Sequence, residues 1–129
     1  MNDMTQVLVN CATASASFPN SLPQKQLAVV KQAKEWFESR IKVPCTHCNY
    51  CMPCPQGVSI PDVFSEYNDA SMRGAFEEGA PKTVVADYLE MVKEGKGADK
   101  CVGCGLCATK CPQHIQIPER LKEAAEKMG

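Results

Sequence analysis

Apolar residues recur at helical spacing along residues 22–41, with polar and charged residues between them. Ser21 and Gln24 form a capping-box pattern at the start, and Pro44 disfavours helical geometry at Val43, which ends the segment. The pattern predicts a helix over 22–41 that packs through one apolar face, made of Leu27, Val30, Phe37 and Ile41.

Three further segments predict shorter helices. Pro61 and Pro118 each stand where the first helical turn tolerates a missing N–H, so a helix is expected to begin at each proline. The first helix places Val63, Phe64 and Tyr67 on its apolar side, and the second places Leu121, Ala125 and Met128 there. Residues 83–93 predict another helix, which ends before Gly95 and Gly97 and has an apolar side made of Val84, Val85, Tyr88, Leu89 and Val92. No stretch of the sequence alternates convincingly as a strand, so we predict an all-α fold.

Residues 1–20 differ from the rest of the chain because they are small and polar and show little periodicity. They are expected to form a linker, in which MNDMTQVLVN could make a short helix of one or two turns. The expected domain is therefore 21–129.

Eight of the nine cysteines fall into two clusters, CTHCNYCMPCP and CVGCGLCATKCP. Each cluster leads into a similar segment, CPQGVSIPDVF after the first and CPQHIQIPERL after the second. The two segments share Cys, Pro, Gln, Ile and Pro at the same offsets. This internal repeat predicts two copies of a cysteine loop followed by a helix, related by an approximate two-fold axis.

The second cluster matches the C-x2-C-x2-C-x3-C-P pattern of bacterial 4Fe-4S proteins. A zinc site usually takes two separated C-x2-C pairs, so a third cysteine at the same short spacing favours an iron-sulfur cluster. In two-cluster ferredoxins the fourth cysteine of each run binds the other cluster. The expected ligand sets are therefore Cys45, Cys48, Cys51 and Cys111 for one cluster, and Cys101, Cys104, Cys107 and Cys54 for the other.

The first cluster departs from this pattern, because only two residues separate Cys51 from Cys54. The shorter gap makes the partner of Cys54 the less certain part of the assignment. Structural zinc and disulfides remain as alternatives to iron-sulfur clusters. Cys11 has no metal-spaced partner and is expected to be inert.

Charge and hydropathy exclude several classes of protein. With 14 basic and 15 acidic residues the net charge is -1, which argues against a basic nucleic-acid binder. No apolar run approaches the roughly 20 residues that a membrane span needs. The first twenty residues lack the charged and apolar regions of a signal peptide, so a cytoplasmic location is expected. Thiols in that reducing compartment favour metal binding over disulfides.

The sequence resembles the carboxy-terminal ferredoxin domain of the iron-sulfur aldo/keto reductase family. The resemblance rests on CTHCNYCMPCPQGVSIPDVFSEYN, CVGCGLCATKCPQHIQIPERLKE and the opening helix that ends RIKVPC. Family members commonly have glycine in place of His47 and Asn49. MNDMTQVLVN resembles the end of the preceding barrel, which implies that residues 1–20 are a linker or a remnant of a reductase domain.

The resemblance implies a helical ferredoxin-like domain with two 4Fe-4S clusters that exchanges electrons with a reductase domain or subunit and a redox partner. The catalytic tetrad and nicotinamide site of that family lie in the barrel, so no catalytic residue is expected in this chain. A zinc-binding or apo interaction domain without redox activity is the alternative function.

Overall fold

The computed structural model describes residues 2–129. Within these residues the secondary structure is helical and contains no strand, which confirms the predicted all-α class. The α-helices are α1 (Met4–Ala16), α2 (Gln24–Arg40), α3 (Ile60–Met72), α4 (Ala86–Lys93), α5 (Leu106–Thr109) and α6 (Ile117–Met128). Two 3-10 turns lie at Lys82–Val85 and Ala98–Lys100. None of the described helices combines the length and apolar character that crossing a membrane requires.

The chain divides into two compact units, one ending at Glu35 and the other spanning Trp36–Gly129. The first unit contains α1, which is longer than the one or two turns expected. Asp3 caps this helix by accepting a hydrogen bond from the Gln6 N–H at 2.9 Å. The segment expected to be mainly linker is therefore largely helical, although α1 has no buried residue.

The helix predicted over 22–41 is confirmed as α2, which begins at Gln24 because the Pro23 carbonyl accepts the N–H groups of Gln26 and Leu27. Its predicted packing is wrong. The four residues of its apolar face are exposed by 41 to 57% of their surface: Leu27, Val30, Phe37 and Ile41. Helical spacing determines the backbone and the face on which the apolar residues lie, but it does not supply a partner for that face.

The core of the second unit is formed mainly by the two helices that follow the cysteine clusters. Both have the predicted proline in the first turn and begin one residue before it, at Ile60 and Ile117. They bury the predicted apolar residues, except that Ala124 is buried rather than Ala125. Tyr67 of α3 donates a hydrogen bond to Glu123 of α6 at 2.8 Å, so a polar contact also joins these helices. The buried residues of this core are Val43, Val58, Ile60, Val63, Phe64, Tyr67, Ala70, Tyr88, Ala98, Ile115, Ile117, Leu121, Ala124 and Met128.

The helix predicted over 83–93 consists of the Lys82–Val85 turn followed by α4. Tyr88 is its one buried residue, whereas Leu89 is 36% exposed. After α4 the Ser59 N–H donates to the Lys96 carbonyl at 3.0 Å, and this bond ties the end of α4 to the start of α3.

Asn68 of α3 holds the segment that enters the first cysteine cluster. Its Oδ1 accepts the N–H groups of Lys42 at 2.8 Å and Val43 at 3.0 Å, and its Nδ2 donates to the Val43 carbonyl at 2.8 Å. Val43 is fully buried, so these backbone groups have little access to water as an alternative partner. The amide therefore determines where the chain turns toward Cys45.

We expect Asn68→Ala to lower the free energy of unfolding by about 1–3 kcal/mol, because it leaves backbone groups of Lys42 and Val43 without partners. Asn68→Asp retains an acceptor for both N–H groups and should cost less. Ser65→Ala, at an exposed position of the same helix, is the control and should stay within about 0.5 kcal/mol. Denaturant unfolding of the cluster-loaded protein measures all three, and equal stability of Asn68→Ala and Ser65→Ala would contradict the assigned role.

Candidate metal centre

The two cysteine clusters form loops with matching backbone geometry. When the first three cysteines are aligned, His47 and Asn49 coincide with Gly103 and Gly105. All four residues have positive φ, at 55° and 64° in the first loop and 71° and 77° in the second. The repeat therefore extends from the sequence to the path of the chain.

Positive φ explains which residue types occur at these positions. Glycine adopts this conformation without a Cβ penalty, and among other residues Asn and His are enriched there. Asn49 also donates from Nδ2 to the His47 carbonyl at 3.2 Å, which supports the turn. The substitution of glycine by His and Asn in the first loop is thus compatible with the same backbone.

We expect Asn49→Val to destabilise the loaded protein by about 1–2 kcal/mol, because a β-branched residue is strained at positive φ. Asn49→Gly should remain within about 1 kcal/mol of the parent protein. Thr46→Val is the matched control, since the second loop carries Val102 at the aligned position. Thermal unfolding and retained iron are the measurements. The backbone assignment fails if Asn49→Val and Thr46→Val behave alike.

The segments that leave the two loops also match. The Gly57 N–H donates to the Cys54 carbonyl at 3.0 Å, and the His114 N–H donates to the Cys111 carbonyl at 3.1 Å. Gly57 and His114 again have positive φ, at 80° and 54°. Each fourth cysteine therefore stands at the start of a tight turn that leads into a core helix.

The loops differ between their third and fourth cysteines. The first passes through a cis peptide bond between Met52 and Pro53. The second, with one residue more, forms the single helical turn α5. The turn was not predicted, because four residues are too few to show helical periodicity.

Burial of the cysteines follows the repeat. Cys48 and Cys104, the second cysteine of each loop, are exposed. The other six of the eight are partly buried and pack against the hydrophobic core: Cys45, Cys51, Cys54, Cys101, Cys107 and Cys111. Each loop thus presents one thiol outward and three toward the core.

One cavity brings cysteines of both loops together. Cys45, Cys48 and Cys51 line it with Cys111 of the second loop. Its apolar wall consists of Ile60, Phe64, Ile115 and Ile117, from the starts of α3 and α6 and the residues before α6. Those two helices determine where Cys111 lies, because the turn after it leads directly into α6.

A second cavity joins Cys54 of the first loop to Cys104 and Cys107 of the second. Cys51, Leu106 and Lys110 also line this cavity. Cys101 instead lines a separate open groove with Gly103 and Pro118. Three of the four cysteines expected in the second set therefore share a cavity, and the fourth lines a different one.

The thiols of Cys51 and Cys107 have raised pKa values. Burial raises the pKa of both above the ordinary thiol value. Their own backbone N–H groups oppose this rise, and neighbouring cysteines add to it. Repulsion from Cys107 is one of the smaller causes of the raised pKa of Cys51, and the two residues line the same cavity.

A backbone N–H group also donates to sulfur in the first loop, where the His47 N–H donates to Cys45 Sγ at 3.4 Å.

The His47 imidazole is half-exposed and its Nε2 lies 3.4 Å from Asp62 Oδ1. His114 is exposed, as is Cys11, which lies in α1 far along the chain from either loop. Both imidazoles are therefore accessible to solvent.

Asn68 is the site-positioning residue that the sequence analysis missed. An asparagine in the middle of a predicted amphipathic helix carries no signal of its partner, which here lies 25 residues earlier in the chain.

Among residues 2–129 no group of three or more His, Cys, Asp or Glu side chains is arranged to hold a single metal ion. The eight thiols are instead distributed around the three cavities described above.

The donor set fits an iron-sulfur cluster, because thiolate sulfur is the protein ligand that such clusters take. Residues 44–116 match the family model described as the 4Fe-4S dicluster domain. The match begins at the proline before Cys45 and ends five residues after Cys111. Comparisons with curated proteins and with solved structures gave no match. Since the matched region covers more than half of the chain and includes both loops, this protein belongs to the 4Fe-4S dicluster domain family.

Proposed function

We propose that the chain holds two 4Fe-4S clusters by crossed ligation and acts as the electron-transfer part of an oxidoreductase. Membership of the dicluster family supports electron transfer through iron-sulfur clusters. The observation that carries the finer proposal is the grouping of Cys111 with Cys45, Cys48 and Cys51 around one cavity. The meeting of Cys54 with Cys104 and Cys107 around the other supports the reciprocal set.

In this proposal the chain's own residues hold and shield the redox group. Each bound cluster supplies a one-electron donor or acceptor. The apolar residues beside the first cavity, Ile60, Phe64 and Ile117, limit the access of water from the core side. Backbone N–H groups such as that of His47 can stabilise the charge on the ligating sulfurs. The exposed Cys48 and Cys104 mark the side of each site nearest to solvent.

The association with a reductase of the aldo/keto reductase type is also a proposal. It is supported by the resemblance of the two loops, their following helices and the RIKVPC segment to the ferredoxin domain of that family. We further propose that residues 1–20 connect the cluster-binding domain to such a reductase and that the protein works in the cytoplasm. In that arrangement carbonyl reduction belongs to the reductase and electron supply to this chain.

Anaerobic reconstitution followed by iron and sulfide analysis tests the proposal. Two clusters of four irons predict about eight irons and eight sulfides per chain. Both iron and zinc should be offered during refolding, so that the protein selects its metal. Stoichiometric zinc without sulfide would favour a zinc-binding interaction domain and reject the electron-transfer function. About four irons per chain would indicate one 4Fe-4S cluster and would reject the proposal that the chain holds two.

A further inference from the structure

An open groove lies between the second cysteine loop and α6. Its volume is about 400 Å³, which is room for several water molecules or one small organic molecule. Cys101 and Gly103 line the groove from the loop. Four residues line it from the helix: Pro118, Glu119, Lys122 and Ala125. Because Cys101 is an expected ligand, the groove leads from solvent to the second candidate cluster.

The first half of the repeat carries a large side chain at the corresponding place. His47 aligns with Gly103, and Asp62 and Glu119 each follow the proline in the first turn of a core helix. The His47 imidazole extends from the loop to α3, where its Nε2 lies 3.4 Å from Asp62 Oδ1. In the second half Gly103 supplies no side chain that could span from the loop to the helix.

A second difference lies further along the two helices. Asn68 of α3 and Ala125 of α6 occupy matching positions, each seven residues after the helix-starting proline. Asn68 holds the chain that enters the first loop through three hydrogen bonds. Ala125 has no polar side-chain atom, and it lines the groove with Ala98 and Asp99, which precede the second loop. The second half therefore lacks both side chains that join loop and helix in the first.

The walls of the two cysteine cavities differ in the same sense. Four buried core residues form part of the wall of the first cavity: Ile60, Phe64, Ile115 and Ile117. The residues other than cysteine that line the second cavity are all exposed: Pro53, Pro55, Leu106 and Lys110. Cys48 and Cys104 are exposed alike, so the outward thiols do not account for this difference. Solvent therefore reaches the second site more widely than the first.

We propose that the groove is the entry through which small iron-binding solutes reach the second cluster, and that His47, placed against Asp62, closes this entry at the first. The proposal rests on the two clusters of the proposed function. Asp99, Glu119 and Lys122 give the groove charges of both signs, so a neutral chelator is the suitable probe. The step is ligand exchange: bonds from iron to thiolate and sulfide break, bonds to the chelator form, and the released sulfurs take up protons.

Anaerobic incubation of the cluster-loaded full chain with bipyridine, a small neutral chelator of ferrous iron, tests this entry. Dithionite supplies the electrons that keep the iron ferrous, and the coloured iron complex measures the rate of loss. Electron paramagnetic resonance, with each spectrum assigned from a variant that lacks one cluster, shows which cluster is lost. We expect the second cluster to lose iron at least about fivefold faster than the first, because the shell around a metal site controls solvent access.

Gly103→His places an imidazole in the groove, as His47 does in the first half. The backbone accepts this change, because His47 has positive φ at the matching position and a Cβ at Gly103 would meet no atom within 4 Å. We expect iron loss from the second cluster to slow by about three- to tenfold. Gly103→Ala is the matched control, since it adds the Cβ without filling the groove, and it should change the rate by less than about twofold.

His47→Gly is the reciprocal variant and should speed iron loss from the first cluster by a similar factor. Ala125→Asn restores the residue found at the matching position of α3. It is a second groove-filling variant, and it serves as the test if Gly103→His does not assemble both clusters.

Equal rates of iron loss from the two clusters of the parent chain would overturn the entry. Equal rates for Gly103→His and Gly103→Ala, or an unchanged first cluster in His47→Gly, would overturn it as well. Iron and sulfide measured before the chelator is added separate the two proposals. A chain without two clusters rejects the proposed function, whereas a fully loaded chain that gives these equal rates rejects only the entry.

Discussion

Cys54→Ala is expected to damage the cluster held by Cys101, Cys104 and Cys107 and to leave the other intact. The reason is that Cys54 lines a cavity with Cys104 and Cys107, although it belongs to the first loop. The reciprocal variant Cys111→Ala should damage the cluster of the first loop. Each substitution removes one of four ligands, so a three-iron cluster or the loss of one cluster is expected at a single site.

Electron paramagnetic resonance of the reduced protein shows which of the two clusters each substitution damages. Cys45→Ala and Cys101→Ala identify the spectrum of each cluster, because both residues are expected to bind the cluster of their own loop. Cys11→Ala is the control and should leave both spectra unchanged, since Cys11 lies in α1 and has no role in the sites. If Cys54→Ala gives the same spectral loss as Cys45→Ala, ligation is local and the crossed arrangement is wrong.

Removal of both clusters is expected to unfold much of the unit spanning Trp36–Gly129. Six of the eight cysteines pack against the same core as α3 and α6, so the clusters and the core should stabilise each other. Metal binding coupled to folding in small domains contributes on the order of 10 kcal/mol, which is comparable to the whole stability of an ordinary domain. Iron chelation should therefore lower both the thermal midpoint and the helical content.

Far-UV circular dichroism measures this loss, and hydrogen exchange locates it. Amide protection should fall in α3 and α6, whose buried faces form the core beside the sites. The residual helicity should come largely from α1 and α2, which have no buried residue and thus little dependence on the core. Refolding with iron and sulfide should restore the signal. A chelated protein with an unchanged spectrum and midpoint would contradict the coupling.

The stability that the contact between α3 and α6 contributes is expected to depend on pH, with a smaller effect than the two above. Hydrogen bonds from Arg120 and Tyr67 lower the pKa of Glu123 below its usual value. A carboxylate with a lowered folded-state pKa contributes stability above its ordinary pKa, and this contribution disappears as the pH falls through the lowered value. Burial, together with the bond to Glu123, raises the pKa of Tyr67, so the phenol remains the donor across this range.

The parts of the fold that sequence reasoning predicted correctly depend on short segments. Pro61 and Pro118 begin helices because a missing N–H is tolerated only in the first turn, wherever the helix lies in the molecule. The eight candidate ligands stay a prediction, which the cysteine spacing supports because a tight loop of fixed length limits how far apart its thiols can be. The repeat extended this reasoning from one loop to the other.

The errors arose where a contact partner was needed. The spacing of Leu27, Val30 and Phe37 correctly predicted a helix but wrongly predicted its burial. In residues 1–20 a short helix was considered, and α1 is longer, with Asp3 capping its N-terminus through its side chain. For residues 22–41 the local pattern was sufficient for the backbone and insufficient for the packing.

The sequence by itself determined the all-α class, the starts of the core helices and the eight candidate ligands, since these follow from the conformational preferences of neighbouring residues. The spacing also led us to expect Cys111 with Cys45, Cys48 and Cys51, and the tertiary structure brings these residues to one cavity. Only the tertiary structure decided that Asn68 holds the chain at Val43. These placements join residues 25 or more positions apart. They depend on how α3 and α6 bury their apolar faces against each other, and no local pattern encodes that packing.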